Sequence, residues 1–291
     1  MHALNRRGFT LIELLVVMGL LAVILSAVYQ SIGSTQRLTG NQVQRLHVQQ
    51  NTRAAALYLS YALRELDASD GDLRSASATS VRVRSMRWAG VLCTDPQAVV
   101  GGVGFMVRDS LLFGVRAPNS TLDSILLYRD GDPTARVDDR WLVGGLQSVA
   151  SGNCPDGAPG TVIITSITAA SGGADSALVG VTAGAPIRGF QLEDLSLWDD
   201  GGERWLARRS ADRGGSWTAM ERLVGPLTVN GLQFVYFDST GAAATSVNEV
   251  ASVGLVVRGR SPEPAHLTSG GIGYVHDSVI TRVTLRNNQG F

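Results

Sequence analysis

The feature that most constrains this chain is an apolar run from Phe9 to Tyr29, preceded by Arg6-Arg7 and broken by a single charge, Glu13. Wound as a helix at about 1.5 Å per residue, its 21 residues reach roughly 30 Å, the thickness of a bilayer's hydrocarbon core. The basic pair has no acidic neighbour before the run, so the positive-inside bias places the N-terminus in the cytoplasm and everything after Ser31 outside. Glu13 is the anomaly, because a carboxylate at membrane depth costs about 2.5–3.5 kcal/mol at a helix centre. No Lys or Arg stands between Phe9 and Gln36, so this stretch of helix brings no counter-charge of its own.

The junction itself reads Arg6-Arg7-Gly8-Phe9-Thr10-Leu11-Ile12-Glu13. It resembles a type IV prepilin processing site. The resemblance implies cleavage after Gly8 by a membrane-embedded prepilin peptidase, methylation of the new amine on Phe9, and a role for Glu13 in filament assembly. The amine freed on Phe9 of a neighbouring chain would then supply the charge that Glu13 needs. Two plainer readings compete. One is a secretory signal cut near Ser26-Ala27, against which stand the carboxylate at the head of the apolar run and a poor small-residue match there. The other is a simple single-pass anchor, which needs neither the Gly8-Phe9 junction nor Glu13.

From Ser34 to Leu66 there is no proline, and apolar residues recur at helical spacing, as in Val48, Ala55, Leu59, Ala62 and Leu66. The spacing predicts an amphipathic helix continuing the anchor, with Gly33 and Gly40 as weak points at about 1 kcal/mol each relative to alanine. Anchor and extension together make the long stalk that pilin-like proteins share, without the membrane-half proline frequent in that family. The organisation expected is a leader over 1–8, a transmembrane half-helix over 9–32, an amphipathic stalk over 33–66, and an extracytoplasmic β-rich head over 67–291. The fold class is α+β, a long helix packed on an antiparallel sheet.

After Asp67 the pattern shifts to turn residues and then to period two. Strands are predicted at Ser80–Arg84, Ile125–Tyr128, Arg140–Val143 and Val162–Ile167, with loops over Ser151–Gly160 and Ala169–Pro186. Further on, Leu195–Trp198 and Arg204–Arg208 flank Asp199-Asp200-Gly201-Gly202 as a hairpin whose tryptophans could pair. Strands at Leu232–Phe237 and Val250–Arg258 complete a meander. This part, from about residue 190 to 264, also resembles J-type type II secretion pseudopilins and their minor-pilin relatives. Residues 85–185 resemble no named family.

Composition narrows the chemistry. The chain has 25 basic and 25 acidic side chains, and every basic one is arginine. Without lysine there is no Walker A loop, no Schiff-base enzyme and no lysine isopeptide cross-link. The histidines are His2, His47, His266 and His276, and no nucleophile elbow accompanies His276-Asp277, so the chain is read as no enzyme. Cys93 and Cys154 are the only cysteines and would lie outside the membrane, where disulfides persist, so they are expected to pair. No cofactor is expected. Asp130, Asp132, Asp138 and Asp139 form an acidic turn that could take calcium, although the spacing is not that of an EF-hand. Arg82 and Arg84 project from one face of a predicted strand, with Val81 and Val83 on the other, and could touch DNA phosphates.

The resemblance further implies the partners: other pilins or pseudopilins through the N-terminal helix, prepilin peptidase, the inner-membrane assembly platform and membrane lipid. The location implied is the cytoplasmic membrane, with later incorporation into a periplasmic or surface filament. A type IV pilus and a type II secretion pseudopilus both remain open.

Overall fold

The computed structural model describes residues 11–131, 134, 139–167, 178–267 and 271–286. A long helix, α1, spans Leu11–Arg64, and the described residues after it lie mainly in strands and short 3-10 turns. The strands are β1 (Leu73–Ala76), β2 (Ser80–Val91), β3 (Gln97–Val99), β4 (Gly102–Arg108), β5 (Phe113–Gly114), β6 (Ser124–Arg129), β7 (Arg140–Asn153) and β8 (Pro159–Thr165). They continue with β9 (Pro186–Asp200), β10 (Glu203–Ser210), β11 (Glu221–Phe237), β12 (Ser252–Arg260), β13 (Ala265–His266), β14 (Ile272–Gly273) and β15 (His276–Thr284). The architecture is the α+β, helix-then-antiparallel-sheet arrangement of a pilin-like chain. The helix runs unbroken through Gly33 and Gly40, since each lacks only the modest propensity of a side chain and no proline interrupts the ladder.

The chain divides into two compact units, Met1–Gln50 with Arg260–Asp277, and Asn51–Gly259 with Ser278–Phe291. In the first unit the short β13–β14 hairpin is fastened to the helix, where the His266 N–H donates to Asn41 Oδ1 at 3.1 Å. Ser261 closes the base of this excursion: its N–H donates to the Val275 carbonyl at 2.8 Å, and its hydroxyl oxygen accepts the Val275 N–H at 3.0 Å.

In the second unit the sheet branches at β9. One edge of β9 pairs along its length with β2, from Ser80 opposite Ser196 to Val91 opposite Pro186. The other edge is divided: Glu193–Asp200 pairs with β10, and Ile187–Phe190 pairs with β6. From β10 the ladder continues through β11 and β12 to β15, and from β6 through β7, β8 and β4 to β3. The tight link from β9 to β10 follows from Gly201 and Gly202, both at positive φ (65° and 89°), a two-residue turn that residues with a Cβ resist. Asp199 Oδ1 accepts the Gly202 N–H at 2.9 Å, and Trp198 stands opposite Trp205 as the alternation predicts.

Each branch has its own core. In the first, Ala55, Leu59, Leu63 and Leu66, spaced to share one face of the chain's helical end, pack with Val81, Val83, Leu195, Leu206, Phe234, Leu255 and Val283. The second joins Trp88, Phe105, Val107, Ile125, Leu127, Leu146, Ile163 and Ile187. It is built almost wholly from residues 85–185, which carry no family resemblance.

Several strand predictions are corrected. Ser151–Asn153, expected in a loop, continues β7 against β8, with Gly152 opposite Gly160. A Cβ on Gly152 would stand 2.8 Å from a Val162 methyl and 2.9 Å from the Met106 methyl, so this close approach requires glycine. β7 extends ten residues past Val143 (153 minus 143), and β9 begins at Pro186 rather than Leu195. Gln191, Glu193 and Asp194 disguise that strand, because acids are depleted in strands unless paired, and here arginines on neighbouring strands pair them.

Candidate functional site

The described residues begin at Leu11, so the predicted cleavage and methylation positions Gly8 and Phe9 lie outside them. Glu13 lies near the start of the described part of α1. Beyond it the helix presents Leu14, Leu15, Val16, Val17, Met18, Leu20 and Leu21 to its surroundings, all more than half exposed. A soluble helix buries such residues, so this all-round apolar surface calls for lipid or other helices as its solvent. Three hydroxyls along it bond back to the helix: Ser26 Oγ donates to the Val23 carbonyl at 2.8 Å, and Ser34 Oγ and Thr35 Oγ1 donate to the Ser31 carbonyl at 2.9 Å. Such back-bonding lets polar side chains enter hydrocarbon without an unpaired donor. By length and apolarity this helix can cross a membrane.

Residues 4–29 match the family described as the prokaryotic N-terminal methylation motif. The match covers the N-terminal segment and supports a type IV pilin-like protein. The motif indicates a structural subunit of the pilin or pseudopilin kind, processed by prepilin peptidase, associated with other pilins and anchored in a membrane. No curated protein and no solved structure matches the chain.

The β-rich head holds the remaining predicted residues. Cys93 and Cys154 form a disulfide with Cα atoms 5.8 Å apart, closing a loop with a sequence separation of 61. It fastens the end of β2 to the β7–β8 turn, where the Cys93 N–H donates to the Met106 carbonyl at 2.8 Å and the Cys154 N–H to the Ala158 carbonyl at 2.8 Å. Of the four aspartates read as a calcium turn, Asp132 and Asp138 lie outside the described residues. Asp130 is held by its N–H on the Gly180 carbonyl at 3.2 Å, and among the described residues no group of three or more His, Cys, Asp or Glu is gathered for a metal ion.

Arg82 and Arg84 do share one face of β2, with Val81 and Val83 buried in the first core on the other. The expected phosphate-contacting row is nevertheless corrected, because Arg84 is only 6% exposed. Its guanidinium lies 3.6 Å from the Asp72 carboxylate, donates to the Asp70 carbonyl at 2.8 Å and covers the Phe190 ring at 5.1 Å. Burial drives both partners toward neutrality, lowering the Arg84 pKa and raising that of Asp72, with their mutual attraction opposing it. Arg82 is also engaged, 3.7 Å from Asp194 and 4.7 Å over Trp217, a ring covered in addition by Arg209 at 4.9 Å.

The polar residues that organise the head were not singled out from the sequence. Glu193 receives Arg87 at 2.5 Å with Arg208 at 3.8 Å, and Asp194 accepts two bonds from Arg209 at 3.1 and 2.8 Å. Asp123, fully buried, accepts from the Trp88 indole N–H at 2.9 Å, the Asn119 N–H at 2.9 Å and Arg116 Nη1 at 2.8 Å, with Arg116 Nη2 on its other oxygen. The available signal was the surplus of arginine on strands bordering acidic ones. It marks internal pairing as readily as binding.

Proposed function

We propose that this protein is a minor pilin or pseudopilin: cut after Gly8, methylated on Phe9, and inserted with its N-terminus cytoplasmic and its head outside. From there it enters, or primes, a type IV pilus. A tip subunit of a type II secretion pseudopilus uses the same parts. The observation that carries this reading is the junction of Arg6-Arg7, Gly8-Phe9 and Glu13 with an apolar helix, inside the 4–29 motif match. Cleavage would put a positive amine one helical turn before Glu13, so that an amine on one chain can meet the carboxylate of the next within hydrocarbon. Gly19, with no atom within 4 Å of the place a Cβ would take, leaves a notch for close helix approach. The chain itself performs no chemistry, takes no cofactor and supplies helix, charge and head, while assembly machinery in the membrane supplies the work.

The test is peptide mass spectrometry of the full chain co-expressed with a prepilin peptidase, in membranes and in sheared filaments. A peptide beginning at N-methylated Phe9 is expected, at low ratio to the most abundant pilin. Glu13→Val should be processed equally and enter filaments about tenfold less, the loss expected for one ion pair worth over 1 kcal/mol. An intact Met1-to-Gly8 leader would sink the reading.

A further inference from the structure

The branched sheet ends at β3, at β15 and, beyond β2, at the short β1 and β5, and these ends are protected unequally. At one end β3 is three residues long, too short to template much pairing. At the β15 end, β12 is the one strand paired with β15 among the described residues, and no described strand covers its far edge over Ser278–Thr284. Nothing in this stretch blunts the edge: there is no proline, and the one charge is Arg282. Lysine, the usual guard of an edge, is missing from the chain altogether. Ile280 is 74% exposed on the outer face, while Val279 and Val283 reach the core face.

The sequence of this edge, Ser278-Val-Ile-Thr-Arg-Val-Thr284, is close to a palindrome about Thr281. If two copies pair antiparallel about a two-fold axis through Thr281, the core face matches Val279 with Val283 and Thr281 with Thr281. The outer face then matches Ser278 with Thr284 and Ile280 with Arg282. These are β-branched and hydroxyl pairs suited to cross-strand packing, and no like charges oppose. We propose that this edge is an isologous interface through which a second copy of the chain extends the sheet, making about six to eight backbone hydrogen bonds. The axis is normal to the sheet, so it reverses the helical segment Asn51–Arg64 that packs on it.

The experiment uses the full chain in detergent, where no membrane fixes orientation. Thr281→Cys should form an intermolecular disulfide under mild oxidation, since directly opposed Cβ atoms lie about 4.5–5.5 Å apart, within a small movement of disulfide geometry. Ile280 is exposed, so charging it leaves the fold intact, and the two signs should act oppositely on dimerisation measured by sedimentation. Ile280→Lys, facing Arg282 twice, should weaken the dimer roughly three- to tenfold, and Ile280→Glu should tighten it by a similar factor that fades with salt. Weakening by both charges would place Ile280 on the axis and overturn this register. Failure of Thr281→Cys to cross-link, with neither charge altering association, would overturn the interface itself, whatever the outcome of N-terminal processing.

Discussion

Asp123→Ala tests whether the second core depends on a buried carboxylate rather than on apolar area alone. The Asp123 side chain is fully buried and joins the Trp88 indole, the Asn119 backbone and both terminal nitrogens of Arg116. Trp88 is 2% exposed, so its N–H cannot turn to water once the acceptor is gone, a loss of about 1–3 kcal/mol. Arg116 is 28% exposed at its side chain and recovers part of its hydration, which lessens its share. Together the substitution should cost about 3–5 kcal/mol, the range for removing one partner from a buried charge network. Asp123→Asn retains an acceptor for Trp88 and should cost clearly less. Urea unfolding of the detergent-solubilised chain, followed by tryptophan fluorescence, measures both against Leu59→Ala, which empties a fully buried site in the first core at about 2–5 kcal/mol. A cost below about 1 kcal/mol for Asp123→Ala would refute the argument.

Replacing both Cys93 and Cys154 by alanine should lower stability by about 4 kcal/mol in the chain-entropy treatment of a loop this long, read as a shift in urea midpoint between oxidised wild type and the double variant. Asp70 has a raised pKa, first from burial and then from repulsion by Asp67 and Asp72. Its ionisation therefore opposes folding above that pKa, and Asp70→Asn should raise the unfolding midpoint at neutral pH. The gain should vanish as the pH falls through the folded value toward the unfolded one near 3.8, and a gain persisting in acid would contradict the assignment. Arg82→Gln, at a partly exposed ion pair, should change stability by less than about 1 kcal/mol, whereas Arg84→Gln should cost about 3–5 kcal/mol by leaving Asp72 unpaired. Thermal melts of the two variants give the comparison, and equal shifts would be inconsistent with the burial difference.

The helical end of the chain and the C-terminal meander were legible because single-strand or single-helix periodicity decides them. Leu59 and Leu63 repeat at four residues, and Val253, Leu255 and Val257 at two, each marking a face turned to one core. β9 was half hidden because it serves two ladders: its Leu195–Trp198 end alternates against one core, while Gln191, Glu193 and Asp194 sit where the branches divide. Arg208 and Arg209 reach Glu193 and Asp194 from the adjoining hairpin strand β10, but Arg87 comes from β2, and no local pattern displays its pairing with Glu193 across about 100 residues. The N-terminal junction was legible for a different reason. Its chemistry is written in consecutive residues, so the Gly8-Phe9-Glu13 spacing could be read before any fold was known.

That contrast separates what this chain has in common with the prokaryotic N-terminal methylation motif from what is its own. The motif and apolar helix need only local sequence, and they determine membrane entry and helix packing. The head's second branch needs β9 to change neighbours midway, a disulfide from Cys93 to Cys154, and a buried Asp123 to close the junction under Trp88. If the chain enters a filament as proposed, α1 would hold its place there while the head, and the β15 edge in particular, would face what lies outside.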